Sequence, residues 1–511
     1  MRKLLKVLFS QLVIVSLLLV LQVGLIIAFF MKLSGYFIYI DLVLKLISFI
    51  VVVIIMNRHS NPMYKLAWVI PILLFPVVGG IFYLFIMGQT HTRLFFARMK
   101  NLELKTTRDY RQDSSVFKEI EEKFPERAST VKYINNVSGM EAYRCCGAKY
   151  FPLGEDKWHT LLDELEKAEK YIFIEYFIIK EGKMWNSILE VLKRKVKEGV
   201  DVRVMYDGMG SMVLLPAKYP KKLASMGIKC RVFCPFTPFL SALQNNRDHR
   251  KVLVIDGKTA FTGGINLSDE YVNIGYEAGH WKDTGVMIKG PAAFAFTKMF
   301  LQMWQCQSRE NFNMSDYEPE FAAEELMPDG GYVMPYYDIP QDKCQTGEFI
   351  YLDIINKAKK YVHITTPYFI LDHEMVVALT NAAASGVDVK IICPAVADHW
   401  YARAVAYSYY KELTEAGVKL YEYTPGFIHA KSFCSDDEIA VVGSINLDYR
   451  SLYLHFECAA WFAGAPIVKD VVNDFDATIK KCRPITIEEC ESISAPRKIL
   501  YAILRMFAPL M

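Results

Sequence analysis

The first 144 residues of this 511-residue chain contain no cysteine, and the first 100 contain one acid, Asp41. All eleven cysteines follow, from Cys145 to Cys490, odd in number and without a CxxC pair. That pattern argues against a zinc ribbon and a disulfide framework. Cys230 and Cys234 have a loose metal-like spacing, but "KCRVFC" reads as a strand. Free buried thiols fit a reducing compartment, so the globular part is expected on the cytoplasmic side. No P-loop occurs, and "DGMGSM" (207–212) is only a short glycine turn after a strand, so no nucleotide is expected. A basic globular part is also missing. Residues 1–100 carry ten Lys/Arg and one acid, which leaves 59 − 10 = 49 basic and 56 − 1 = 55 acidic residues after them. A net −6 is a poor match for nucleic acid, where Lys/Arg contacts to phosphate carry much of the affinity.

Hydrophobic residues make up 52% of the chain and mean hydropathy is +0.15, an excess concentrated at the N-terminus. Residues 7–31 are uncharged, long enough to cross a hydrocarbon core of about 30 Å, and show no cleavage site. A second apolar stretch, 36–56, contains Asp41 and Lys45, which are four apart and able to pair on one helix face. A third, 66–88, contains Pro71, Pro76, Gly79 and Gly80, tolerated in membrane helices. Two or three transmembrane helices are expected, making the protein a multi-pass cell-membrane protein. Basic residues at both ends of the segment leave its orientation open.

From about residue 150 the chain repeats itself. "KAEKYIFIEYFII" (167–179) matches "KAKKYVHITTPYFI" (357–370), and "GVDVRVMYD" (199–207) matches "GVDVKIICP" (386–394). "HRKVLVID" (249–256) matches "HAKSFCSD" (429–436), and "GGIN" (263–266) matches "GSIN" (443–446). Short apolar strands alternate with amphipathic helices, so each copy is expected to be an α/β/α sandwich, and two copies a pseudo-two-fold intramolecular dimer. The expected division is a membrane anchor at 1–90, a connecting segment at 91–149, repeats at 150–310 and 346–495 joined by an acidic linker at 311–345, and a C-terminal amphipathic segment at 496–511. That last segment either lies in a membrane interface or docks on the globular part. "FCPFTPFLSAL" (233–243) is either a lipid-facing rim or a loop on the core.

Each repeat carries His-x-Lys, four residues, Asp, six residues, then Gly-[Gly/Ser]-Ile-Asn. Alternate residues of a strand share a face, which places His249 beside Lys251 and His429 beside Lys431. Paired imidazoles and ammoniums suit a phosphate diester: lysines neutralise the phosphoryl oxygens, one neutral imidazole attacks phosphorus, and the other protonates the leaving alkoxide. Asn266 and Asn446 are placed to bind non-bridging oxygens. The small Gly264 and Ser444 let backbone N–H groups approach them. A lone HxK tripeptide means little; two copies with identical spacings inside a wider duplication point to a catalytic site.

These motifs resemble the phospholipase D superfamily signature, HxKx4D followed by GSxN. "NPMYKLAWVIPILLFPVVGGIFYLFIMG" (61–88) resembles the membrane module of bacterial cardiolipin synthases, and "TPYFILD" (366–372), "GGINLSDEY" (263–271) and "GSINLDYRS" (443–451) resemble that family's repeats. The resemblance covers the whole chain. It implies condensation of two phosphatidylglycerols into cardiolipin and glycerol through a phosphatidyl-histidine, with no cofactor, metal or nucleotide. The catalytic set it implies is His249, Lys251, Asp256, His429, Lys431 and Asp436, with His249 the nucleophile and His429 the acid, then base. The two aspartates are expected to hold structure rather than transfer protons. A hydrolase of the same superfamily, releasing phosphatidate, is the alternative. There are two departures: Gly264 replaces Ser, and His455 stands where Asn is expected and either packs or shapes the acceptor pocket. Glu457, two residues on, is placed to orient an opposing histidine.

Overall fold

The computed structural model describes residues 38–58, 61–87, 90–109, 113–236, 242–277, 279–308, 312–340 and 344–510, with single residues at 24 and 310. It divides into two units: one comprises the N-terminal helices with residues 234–246, the other the rest of the chain.

The N-terminal unit contains α1 (Ile38–Met56), α2 (Pro62–Leu74) and α3 (Pro76–Met87). They pack around Val51, Ile55, Val69, Ile72 and Tyr83. A Cβ at Gly80 would lie 2.3 Å from Ser48 Oγ, so only glycine permits this approach of α3 to α1. The stretch 66–88, expected as one span, is two helices. Pro76 pushes the preceding residue out of the α region, and Phe75 sits at φ −132°, ψ 71°. The resulting helices have 13 and 12 residues, against the roughly 20 a span requires. Among the described residues no helix is long and apolar enough to cross a membrane. The expected span 7–31 lies outside them, apart from Gly24, as do 237–241 of the expected rim.

The larger unit contains two sheets of matching topology. The first repeat contributes β2 (Ala148–Phe151), β3 (Tyr171–Tyr176), β4 (Asp201–Asp207), β5 (Lys229–Phe233), β6 (Lys251–Ile255), β7 (Thr259–Gly263) and β9 (Gly285–Lys289). Their order is β2-β9-β7-β6-β3-β4-β5. The second contributes β10 (Tyr332–Asp338), β11 (Tyr361–Thr365), β12 (Asp388–Pro394), β13 (Lys419–Tyr423), β15 (Ser432–Ser435), β16 (Ile439–Gly443) and β17 (Glu457–Ala463). They follow the same order, β10-β17-β16-β15-β11-β12-β13, flanked by β1 (Tyr143–Arg144) and β18 (Cys482–Pro484). The duplication read from sequence is therefore a duplication of topology. The second repeat begins earlier than expected, because β10 lies inside the presumed linker 311–345 and its seven residues are all buried.

Helices cover the sheets. In the first repeat α4 (Gly154–Leu165) packs with the Ile172, Ile174 and Tyr176 face, while α5 (Ala293–Gln307) lies on the other, where Phe173 and Phe300 stack at 4.6 Å. Almost every residue of α5 is buried, as expected of a helix apolar all round. It packs on β10 of the second repeat, and α8 (Pro466–Ile479) packs on β2 of the first. The repeats thus exchange helices across their boundary, while α6 (Thr346–Lys357) keeps to β10 of its own repeat. A two-stranded parallel ladder, β8 (His280–Lys282) with β14 (Gly426–Ile428), ties them again. The C-terminal helix α9 (Ala495–Met506) docks on α7 (Trp400–Glu415), with Arg505 4.1 Å over the Tyr409 ring, yet keeps Ile499, Ile503 and Phe507 exposed.

The motif aspartates occupy the far end of their strands from the histidines. Asp256 turns β6 into β7 at φ 53° and accepts from the N–H of Glu169, Lys170 and Tyr171 at 2.7–2.8 Å. Asp436 does the same at φ 58°, accepting from Lys359, Lys360 and Tyr361 at 2.7–2.9 Å. Seven residue steps of extended chain, on the order of 20 Å, separate each from its histidine. They belong to the turn, not to the catalytic set. Asp436→Ala is expected to lower the unfolding free energy by about 2–4 kcal/mol, because three backbone donors lose a charged acceptor. Equilibrium denaturation checks this, and the kcat of folded protein should stay within a few-fold.

Candidate active site

β6 runs antiparallel to β3 with Lys251 opposite Tyr176, so His249, two residues before Lys251, lies at the C-terminal end of the parallel strands β3 and β4. In open α/β sheets that end is where ligands bind. His429 occupies the equivalent position before β15, where Ser432 pairs with Thr365.

Each histidine is held by the other repeat. His249 N–H donates to the Phe456 carbonyl at 2.9 Å, and its Nδ1 lies 2.8 Å from Glu457 Oε1. His429 N–H donates to the Lys282 carbonyl at 2.7 Å, and its Nδ1 lies 2.6 Å from Asp283 Oδ2. Consecutive residues of one repeat, a carbonyl and then a carboxylate, thus fix the imidazole of the other. A carboxylate on Nδ1 selects the tautomer with the proton there and leaves the lone pair on Nε2.

The sequence reading singled out Glu457 and missed Asp283. A conserved spacing would have revealed it, but Glu457 follows Ser444 by 13 residues and Asp283 follows Gly264 by 19, six more, with a turn at 273–275 among them. Gly264 and Ser444 serve these carboxylates rather than a phosphate, and their own N–H groups donate to the Thr284 and Cys458 carbonyls at 3.0 and 2.9 Å. Ser444 Oγ donates to Glu457 Oε2. A Cβ at Gly264 would stand 2.2 Å from Asp283 Oδ1. The shorter aspartate occupies space that a serine would fill, so Gly264 is required where the superfamily pattern has Ser.

Lys251 and Lys431 each donate to the carbonyl of the histidine two residues earlier, and Lys431 Nζ also approaches His429 Nδ1 at 2.8 Å. Both are buried. Burial, opposed by Glu457 and Asp283, pushes Lys251 down to about 8; burial and the neighbouring Lys251, opposed by Asp283, push Lys431 down to about 7. Burial and Lys431 lower His429 to about 4, while burial, Lys251 and Lys431 hold His249 well below its ordinary range. Burial also raises Glu457 to about 7. Such shifts mark a dry pocket with surplus cationic character, which an anion would relieve.

The asparagines differ. Asn266 accepts from Ile178 N–H at 3.1 Å and donates to Tyr271 Oη at 2.8 Å, and the Tyr271 ring lies 5.4 Å from that of His429. Asn266 therefore sets the wall of the pocket, while the buried Asn446 Oδ1 has no hydrogen-bond partner among the described residues. The His455 ring lies 5.5 Å from His249, and Arg450 Nε donates to its Nε2 at 3.2 Å. Trp281 is its counterpart, 5.6 Å from His429. His249, His455 and Glu457 bring one ligand atom each within 4.8 Å of one another. The cations of Lys251 and Arg450 beside them oppose a metal ion there.

A family model described as the cardiolipin synthase phospholipase D-like domain matches residues 161–304 and 351–479, and a phospholipase D-nuclease N-terminal model matches 46–86. A cardiolipin synthase of Halalkalibacterium halodurans is 32% identical over 90% of this chain and 91% of its own. One from Clostridium perfringens is 33% identical over 89% and 95%. An uncharacterised protein of Streptococcus mutans is 43% identical over 90% and 99%. Among solved structures, phosphatidylserine synthase of Haemophilus influenzae shares the fold, with a TM-score of 0.56 at 14% identity, over 75% of this chain and 98% of its own. The chain belongs to the cardiolipin synthase family, phosphatidyltransferases built on paired phospholipase D-like domains.

Proposed function

We propose that the protein makes cardiolipin and glycerol from two phosphatidylglycerols through a phosphatidyl-histidine. The observation that carries this reading is the pair of histidines, each held at Nδ1 by a carboxylate of the opposite repeat, with two buried lysines beside them. His249 Nε2 attacks phosphorus as the P–O bond to the terminal glycerol breaks. His429, protonated as the bound phosphodiester anion lifts its pKa, gives that proton to the departing oxygen. The second phosphatidylglycerol then enters; His429 takes the proton from its terminal hydroxyl, the oxygen attacks phosphorus, and the P–N bond breaks. One phosphodiester replaces another, so the exchange requires no nucleotide. Asn446, with its carbonyl unpaired among the described residues, faces acceptor or donor hydroxyl groups, and Lys251 and Lys431 hold the non-bridging oxygens.

The exposed Leu42, Leu46, Phe49, Ile50 and Val53 support a membrane location for the N-terminal unit, and the exposed apolar stripe of α9 supports contact with the bilayer surface. The eleven free cysteines support a cytoplasmic catalytic part.

Purified protein given phosphatidylglycerol should release glycerol and cardiolipin in equal amounts, and phosphatidate as the main product would establish the hydrolase instead. His249→Ala and His429→Ala should each lower kcat by about 10³-fold or more, read by the same lipid assay. In the pH profile the lysines must be charged to bind the anion. Since their folded values lie at about 7 and 8, kcat/KM should fall as pH rises through that range. Lys431→Arg cannot lose its proton and should move this alkaline limb upward while lowering kcat.

A further inference from the structure

Beyond the chemistry, two equivalent loops flank the site. The chain leaves β4 at Asp207 into residues 208–215, and leaves β12 at Pro394 into 395–399 and the first turn of α7. Both strands hold the same place in their sheets. Tyr176 pairs with both Lys251 and Tyr206, and Thr365 with both Ser432 and Ile392, so each loop springs from the sheet end that carries its repeat's histidine.

The loops are built outward. Asp207 accepts from Met209 and Gly210 N–H at 2.8 Å, and Gly210 sits so close to Phe177 that a Cβ would lie 2.5 Å from its carbonyl oxygen. Phe177 in turn lies 5.0 Å from the His249 ring. With its inner side pinned, this loop presents Met209 and Val213, 42% and 74% exposed. In the second repeat Asp398 accepts from Tyr368 Oη at 2.5 Å, and Val396 and Trp400 are 43% and 67% exposed. Single exposed apolar side chains are ordinary. Here two stand on each of two symmetry-related loops at the mouth of one site.

We propose that the loops 208–215 and 395–400 dock together on an anionic phospholipid bilayer and set the site against its surface. This rests on the lipid-transfer reading and deepens it. Features related by a two-fold axis lie level along that axis, so a plane normal to it meets both loops at once. Charge favours the same partner: residues 208–222 contain no acid, and of their three lysines Lys218 and Lys221 are exposed while Lys222 pairs with Glu181; the one acid of the second loop accepts from Tyr368. Apolar side chains with a tryptophan and flanking lysines match the interfacial zone of an anionic membrane.

The test uses full-length protein in phosphatidylglycerol bilayers with brominated acyl chains. Val213→Trp should add emission that bromine quenches by about half or more, and Trp400→Phe should remove a quenched component. Val213→Asp with Trp400→Asp should raise the KM for vesicle substrate about tenfold and leave kcat on a detergent-dispersed short-chain substrate unchanged. Absence of quenching at both positions overturns the proposal. So does a blue shift without quenching, which marks a protein over the loops. If the lipid-transfer reading fails instead, both activities vanish while the quenching persists.

Discussion

The structure depends on a reciprocal exchange: each repeat keeps its own histidine but lends its carboxylate. His249 is fixed by Phe456 and Glu457, and His429 by Lys282 and Asp283. An imidazole needs its tautomer set before it can act as nucleophile or base, and here the setting group always belongs to the other half. The fold elsewhere guards this register. Helices α5 and α8 cross onto the opposite sheets, and the β8–β14 ladder runs directly into Asp283 on one strand and its histidine, His429, on the other. Asp207 pins the chain before the first histidine through Arg247 Nη2 at 2.8 Å and the Asp248 N–H at 3.0 Å.

The symmetry is broken in three matched places. Glu457 with Ser444 stands against Asp283 with Gly264, and His455 stands against Trp281. The first contrast conserves volume, because a longer acid leaves room for a hydroxyl and a shorter one sits where the hydroxyl would be. The second gives His249 a polar neighbour and His429 an apolar one. Two chemically similar histidines therefore stand in unlike surroundings.

Much of this was legible in the chain. The repeated motifs predicted the duplicated α/β units, and the alternation around His249 and His429 placed each lysine beside its histidine. What escaped was set by tertiary contact. Asp283 has no motif of its own, and the six extra residues before it hide its kinship with Glu457. Gly264 and Ser444 looked like phosphate ligands because small residues fit both purposes; only the position of a neighbouring carboxylate separates them. Asp256 and Asp436 lie inside the signature but mark the turn. The third apolar stretch read as one span because hydropathy does not register where Pro76 stops a helix. β10 was hidden in a segment whose acidic flank resembled a linker.

The lent carboxylates also have a consequence in time. During synthesis His249 emerges 208 residues before Glu457. At roughly 5–20 residues per second that interval is on the order of 10–40 s. Through it the first repeat can fold its own sheet while its imidazole has no partner to fix the proton. In a growing chain the first imidazole thus stays unset until the second half brings Glu457 to it.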